Sequence, residues 1–246
     1  MFQKIKKTAK KSKEIGGKMI VVLKKKTLFL IAVILIAVLI GGVTCGVCVK
    51  AAKAANIGKK VVVIDAGHGG SDRGVIGKNG TEEAAKNLEI AKLLRSLLSD
   101  AGFVVVMTRS TNEGADKPTG GFKQEDFSNR KKIIEDANPD FVVSIHCNKF
   151  PQSDRRGVQV FYNKLSDEGK QFATALQTSL NGLNAKHVGR TFTALPGEYF
   201  MLNCTFAPSA IVECGFLSNE EDERLLNDDD YLEDLTYSIY AAIAEV

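Results

Sequence analysis

The chain contains three histidines, and two of them stand directly behind runs of β-branched residues. His68 lies in Asp65-Ala66-Gly67-His68-Gly69-Gly70, after the run Lys60–Asp65, and His146 lies in Ser144-Ile145-His146-Cys147-Asn148, after Phe141–Ile145. A carboxylate, Glu213, closes a third apolar run in Val212-Glu213-Cys214-Gly215. Imidazole ligates metals and carries protons near neutral pH, and a carboxylate among apolar residues is costly unless it is paired or at work. Taken singly, each has a bland explanation: a histidine satisfied in a core, a glutamate accepting structural hydrogen bonds. Gathered at the carboxyl ends of strands, where open α/β sheets keep their sites, they describe metal ligands or an acid–base pair, with Glu213 as general base. His187 falls in a polar segment and is read as a loop bystander.

The glycines around His68 invite comparison with a dinucleotide-binding loop. Counting from Gly67, however, Asp72 occupies the place of the third glycine of Gly-x-Gly-x-x-Gly, and an imidazole fills the space a pyrophosphate needs. The nucleotide reading is set aside. No His-Glu-x-x-His helix is present, which removes the commonest zinc-peptidase signature.

Strands and helices alternate around these residues. Lys60–Asp65 reads as a buried strand. Thr81–Leu98 reads as a helix, with Thr81 as N-cap, Glu82 and Glu83 at the positive end of its dipole, and an apolar stripe of Leu88, Ala91, Leu94 and Leu98. Phe103–Thr108 is a second strand, Arg109–Phe127 a polar surface loop, and Asp126–Ala137 an amphipathic helix broken by Asn138-Pro139. Further strands are expected at Phe141–Ile145, Val158–Tyr162, Tyr199–Leu202 and Ala210–Val212, and further helices at Asp167–Leu183 and Tyr231–Ala244. The pattern predicts an α/β class: one domain with a mixed, mostly parallel sheet flanked by helices on both faces. The loop 109–127 and the segment after Asn148 are the expected substrate walls.

Charge divides the chain. The formal net charge is +4, but residues 61–246 carry 19 basic and 28 acidic residues, a net of −9. Nucleic-acid binding by so acidic a domain is not expected. The excess lysine belongs to a basic tail, residues 1–27, expected to be cytoplasmic. Residues 28–49 follow without a single charge, long enough as a helix to reach ~33 Å and cross a bilayer core of ~30 Å. Lysines preceding the span orient the N-terminus to the cytoplasm and the domain outside. The expectation is a membrane-anchored protein with its catalytic domain on the extracytoplasmic side, joined by a linker at 50–60. Secretion after signal cleavage is the alternative, because Ala52-Lys53-Ala54 offers a small-residue site.

Five cysteines do not make a disulfide framework here. Cys45 and Cys48 have redox spacing but sit at the end of the apolar run, where that spacing is read as incidental. Cys147 and Cys214 each follow a candidate site residue, so strand alternation turns them toward the core as buried thiols.

The strings IDAGHGGSDRG (64–74), GTEEAAKNLEIA (80–91), SIHCN (144–148) and IVECGFLSN (211–219) resemble, in order and spacing, the zinc-dependent N-acetylmuramoyl-L-alanine amidases of the amidase-3 family. The similarity covers essentially all of 61–246, taken as the amidase catalytic domain. It implies a phosphorylase/hydrolase-like fold, one Zn2+ held by His68, Glu83 and His146, and Glu213 as the catalytic carboxylate. Of the adjacent glutamates the family pattern selects Glu83, five residues before the leucine of Leu88-Glu89-Ile90-Ala91; Ala84-Ala85 stand where the family has Lys-Asp. Two histidines and a carboxylate leave one position of tetrahedral zinc open, as catalytic sites do. The implied reaction hydrolyses the amide between N-acetylmuramic acid and L-alanine in peptidoglycan, with Glu213 moving the water's proton to the departing amine. The segment Asn148–Tyr162, with Arg155-Arg156-Gly157-Val158-Gln159-Val160, is similar to the germination-specific, spore-cortex subgroup. The alternatives are another wall-directed zinc hydrolase, a peptidase or deacetylase, and a non-catalytic wall-binding protein. The sequence is silent on any protein activator.

Overall fold

The computed structural model of the chain describes residues 13–15, 18–20, 31, 34, 58–113 and 123–246. Two units, Met1–Gly58 and Lys59–Val246, separate along the chain. In the first, β1 (Lys13–Ile15) pairs antiparallel with β2 (Lys18–Ile20). The expected membrane segment 28–49 lies outside the described residues apart from Ile31 and Ile34. Among the described residues no helix is long and apolar enough to cross a membrane.

The second unit is built on a six-stranded sheet of order β4-β3-β5-β8-β6-β7. Its strands are β3 (Val61–Ala66), β4 (Val104–Met107), β5 (Phe141–Asn148), β6 (Gln159–Tyr162), β7 (Leu195–Pro196) and β8 (Ser209–Phe216). The pairs β3–β4, β3–β5, β5–β8 and β6–β7 are parallel and β6–β8 is antiparallel, so the sheet is mixed and mostly parallel. Helices are α1 (Glu83–Asp100), α2 (Lys123–Ala137), α3 (Asp167–Val188), α4 (Glu220–Leu226) and α5 (Asp229–Glu245).

Alternation along the strands sorts the side chains between two faces. Val62, Ile64, Val143, Ile145 and Val212 join the large core that takes in Leu94 of α1, Leu176 of α3 and Ile239 of α5. Val63 and Val142 turn the other way, to a smaller core with Ile134 of α2, Met201 and Cys204. Cys147 and Cys214 lie in the large core, as alternation requires, and burial pushes both thiols well above their ordinary pKa.

Several expectations are corrected. β5 and β8 run through His146 and Glu213 rather than stopping short of them, since polar residues at a sheet's working end still pair through their backbones. Thr81 does not cap α1: an isolated bridge between Ile76 and Glu82 keeps the chain extended, and Glu82 is the cap residue without a side-chain bond. Within the expected loop 109–127, Arg109 is buried while residues 110–113 are exposed, and residues 114–122 lie outside the described residues. α2 begins at Lys123, earlier than expected. α3 continues to Val188 and ends at Gly189 in the left-handed region (φ 76°), so His187 belongs to its last turn, packed edge-on against Tyr231 at 5.3 Å. The polar stretch after Leu183 is helical because Asn184 is buried, accepting from the Val158 amide at 2.7 Å and donating to its carbonyl at 2.9 Å. The expected strand Tyr199–Leu202 is a 3-10 turn, Phe200–Asn203, which puts Met201 and Leu202 inside while β7 takes the sheet edge. α4 was not expected; Asn219 caps it, accepting from the amides of Glu221 and Asp222 at 3.0 Å each.

Candidate metal and catalytic site

β3 ends at Ala66, and the chain turns sharply so that His68 adopts φ 61°, a left-handed conformation rare for a residue with a Cβ. Two buried arginines hold that turn. Arg130 of α2 donates to the His68 carbonyl at 2.6 Å and the Ala66 carbonyl at 2.8 Å, and pairs with buried Asp65 at 2.7 Å. Arg109 donates to the carbonyls of Ala66, Gly67 and Ala84 at 2.8, 2.9 and 2.7 Å. Carbonyls leaving a strand end have no ladder partner, and buried ones must find a donor. Asp65 also accepts from Thr108 at 2.7 Å and Ser144 at 2.5 Å, so burial, which alone would raise its carboxyl pKa, is outweighed by Arg130 and the hydroxyls.

Glu83, in the first turn of α1, faces both imidazoles. Its Oε1 lies 3.1 Å from His68 Nε2 and 3.0 Å from His146 Nδ1 and accepts from the Cys147 amide at 3.2 Å; its Oε2 accepts from the Val75 amide at 2.8 Å. One ligand atom from each of His68, Glu83 and His146 can be chosen so that all lie within 4.8 Å of one another. The two rings meet edge to face with centroids 5.0 Å apart. His68 Nδ1 is engaged by Asp72 Oδ2 at 2.9 Å, which orients the ring. Burial raises the Glu83 carboxyl, but hydrogen bonds and charge from His146 and His68 outweigh it and hold the group far below the usual carboxylate range. Burial likewise lowers His68, and Glu83 and Asp72 reverse that, leaving it raised. Glu82 points elsewhere, paired with exposed Arg73. Glycine is required at two positions: a Cβ on Gly67 would strike the His146 ring, and one on Gly74 (φ +66°) would strike Glu83.

Glu213 reaches the same cleft from β8, opposite His146 in the ladder. Its Oε2 is buried with no hydrogen-bond partner among the described residues. Burial is the main influence on its carboxyl, pushing it up to about 7; the neighbouring histidines oppose the shift and Glu83 adds to it. The cleft has a volume of about 580 Å³, and Phe127, Asn148, Lys149, Tyr199 and Met201 complete its walls. Two imidazoles and a carboxylate are a borderline-metal donor set, and an unsatisfied buried carboxylate beside them is placed to take a proton. The donors fit a divalent metal.

The sequence profile of the Amidase_3 family, N-acetylmuramoyl-L-alanine amidase, matches residues 62–245. The chain belongs to this amidase family. The amidase is 35% identical over 188 residues to the germination-specific N-acetylmuramoyl-L-alanine amidase of Bacillus subtilis, covering 75% of this chain and 78% of that one. It is 30% identical over 171 residues to the probable cell wall amidase LytH of Staphylococcus epidermidis, covering 69% of this chain and spanning about half (52%) of that protein's length. Its fold matches the CwlD amidase of Clostridioides difficile, solved in complex with the GerS lipoprotein, with a TM-score of 0.69 and 34% identity over 76% of this chain and 98% of that one. The amidase hydrolyses the amide joining N-acetylmuramic acid to L-alanine in peptidoglycan. Peptidase, deacetylase and binding-only alternatives are set aside by this membership.

His68, Glu83, His146 and Glu213, all singled out in the sequence, meet at one cleft, and His187 lies apart from it. The supporting residues Asp72, Arg109 and Arg130 carry no comparable signal. Asp72 stands four residues from His68 in a polar run, and arginines in a loop and on an amphipathic helix read as solvated.

Proposed function

We propose that the amidase is zinc-dependent, with His68, Glu83 and His146 as the metal ligands and Glu213 as general base and then general acid. The observation that carries this is the convergence of both imidazoles on one buried carboxylate oxygen, beside a second carboxylate whose buried Oε2 has no hydrogen-bond partner among the described residues. When bound, zinc supplies Lewis-acid polarisation of the scissile carbonyl and makes water more acidic. Glu83, kept ionised, contributes the negative charge that favours a cation over a proton at this centre. Glu213 takes the proton of the attacking water and passes it to the L-alanine nitrogen as the amide breaks. Arg130 and Arg109 hold the backbone of the His68 turn, and Asp72 holds the ring.

The biological setting is germination or spore-cortex remodelling, a reading that rests on similarity to the Bacillus subtilis enzyme. The uncharged segment 28–49 anchors the protein in the membrane and leaves the amidase domain outside, where peptidoglycan is. An extracytoplasmic protein partner is consistent with the CwlD neighbour, which was solved with a lipoprotein.

Mass spectrometry of purified muropeptides after incubation with the protein and zinc tests the chemistry. New L-alanine amino termini that depend on added zinc are expected. Full turnover in thoroughly chelated protein would overturn the metal assignment.

A further inference from the structure

A smaller cavity of about 150 Å³ lies beside the catalytic cleft and shares Asn148 with it as a wall. The two are joined through neighbouring residues as well. Gln159, in the small cavity, is paired with Glu213 across the β6–β8 ladder, and Phe161 packs edge-on at 5.5 Å against Tyr199, a wall of the cleft.

Guanidinium and phenyl groups dominate the small cavity. Arg155 lies over the ring of Phe150 at 4.6 Å, and Arg190 over that of Phe192 at 4.9 Å. Arg156 pairs with buried Asp222 at 3.3 Å. Asp222 also accepts from the Gly157 amide at 2.7 Å and the Phe216 amide at 3.0 Å, which ties the Arg155–Gly157 turn to the end of β8. Gly157 has φ +99°, and a Cβ there would meet Asn184 Oδ1 at 2.7 Å. The turn is therefore held firmly from beneath. Arg155 and Arg190, by contrast, have no carboxylate in ion-pair reach among the described residues. Both guanidinium groups line one cavity in a domain whose net charge is −9.

Stacked guanidinium groups keep their edge donors free for an oxygen anion, and the rings offer apolar surface to a short aliphatic stem. A small group ending in a carboxylate suits both. Within the substrate, the sugars are neutral once the lactyl carboxyl is in the amide, and the free carboxylates belong to the stem peptide. Because the cavity adjoins the cleft, the carboxylate it would meet is the one nearest the scissile bond, on the residue after L-alanine.

We infer that Arg155 and Arg190 form a subsite for the free α-carboxylate of the second stem-peptide residue, so that the enzyme distinguishes acidic stems from amidated ones. This rests on the amidase reading for its substrate but not for its test. The experiment is calorimetric binding of L-alanyl-γ-D-glutamyl-L-lysine amide, with the glutamyl α-carboxylate free or amidated, to full-length protein. Arg155→Ala/Arg190→Ala is compared with wild type, and zinc content is measured in both. An exposed charge-assisted contact makes the free-carboxylate peptide bind wild type about threefold to fivefold more tightly. That preference disappears in the double variant, with zinc content unchanged. Equal affinity of the two peptides for wild type, or a preference that survives in the double variant, overturns the inference. So does loss of binding to an N-acetylglucosamine–N-acetylmuramic acid disaccharide in the double variant without any effect on the peptides, which would make the cavity a sugar site. A failure of the amidase reading would show separately, as intact muropeptides after incubation with wild type.

Discussion

His146 on β5 and Glu213 on β8 occupy paired positions of neighbouring parallel strands, so the imidazole and the carboxylate emerge side by side on one face of the sheet. The ladder sets their spacing, and the next residue on each strand, Cys147 and Cys214, is buried on the opposite face. A carboxylate built on a central strand is positioned to within the stiffness of the sheet itself, which a loop does not offer.

Removing any one of His68, Glu83 or His146 by alanine substitution is expected to lower zinc content and hydrolysis together. Glu82→Ala is expected to be much milder than Glu83→Ala, because Glu82 pairs with exposed Arg73. Elemental analysis alongside muropeptide turnover checks both points. Full zinc occupancy in His146→Ala, or the reverse ranking of the two glutamates, would sink the ligand assignment.

Glu213→Gln keeps the shape and cannot accept a proton, so zinc should remain while turnover falls by ~10²-fold or more. The same variant has a stability signature in metal-free protein. Burial puts the Glu213 carboxyl at about 7 against an ordinary 4.5, so the folded state binds this proton more tightly than the unfolded state. The wild type therefore loses stability relative to the glutamine variant as pH rises from 4.5 to 7, on the order of 3 kcal/mol, and the difference vanishes below that window. Denaturation of both proteins at pH 4 and pH 8 measures it. Equal stability gaps at the two pH values would remove the buried-carboxylate account.

Arg130 is buried against Asp65 and carries the His68 carbonyl. Arg130→Met leaves Asp65 as an uncompensated buried charge, for an expected loss of ~3–5 kcal/mol. Adding Asp65→Asn should recover part of that loss, a coupling that a double-mutant cycle in urea reads directly. Additive losses would mean the pair is not coupled. Zinc affinity should fall in Arg130→Met as well, since the left-handed His68 turn loses a donor.

The membrane expectation has its own test. If residues 28–49 anchor the protein, the ten or so linker residues 51–60 reach no further than ~35 Å, confining the domain to peptidoglycan near the membrane. Full-length protein should fractionate with membranes, resist carbonate extraction and be open to protease added from outside. Mostly soluble protein beginning near Ala55 would favour a cleaved signal instead.

The residues that line the cleft were legible in the residue string because strand-end histidines and a glutamate after an apolar run are unusual in type and position. Hydrophobic periodicity carried the α/β class and the inward turn of Cys147 and Cys214, since both depend on local geometry that repeats every two or every 3.6 residues. Other features had no local trace. Thr81 looked like a helix cap, but the bridge between Ile76 and Glu82 moved the helix start to Glu83. Arg109 stands in a polar run and Arg130 on an amphipathic helix, and what draws both inside is the Ala66 carbonyl at the end of β3, which accepts from each of them. His146 and Glu213 stand far apart along the chain, and a ladder register between two strands is a non-local pairing that no window of sequence contains. Residue types declare which atoms can bind a metal or move a proton; only the folded chain decides which of them share a cleft and which buried donors keep them there.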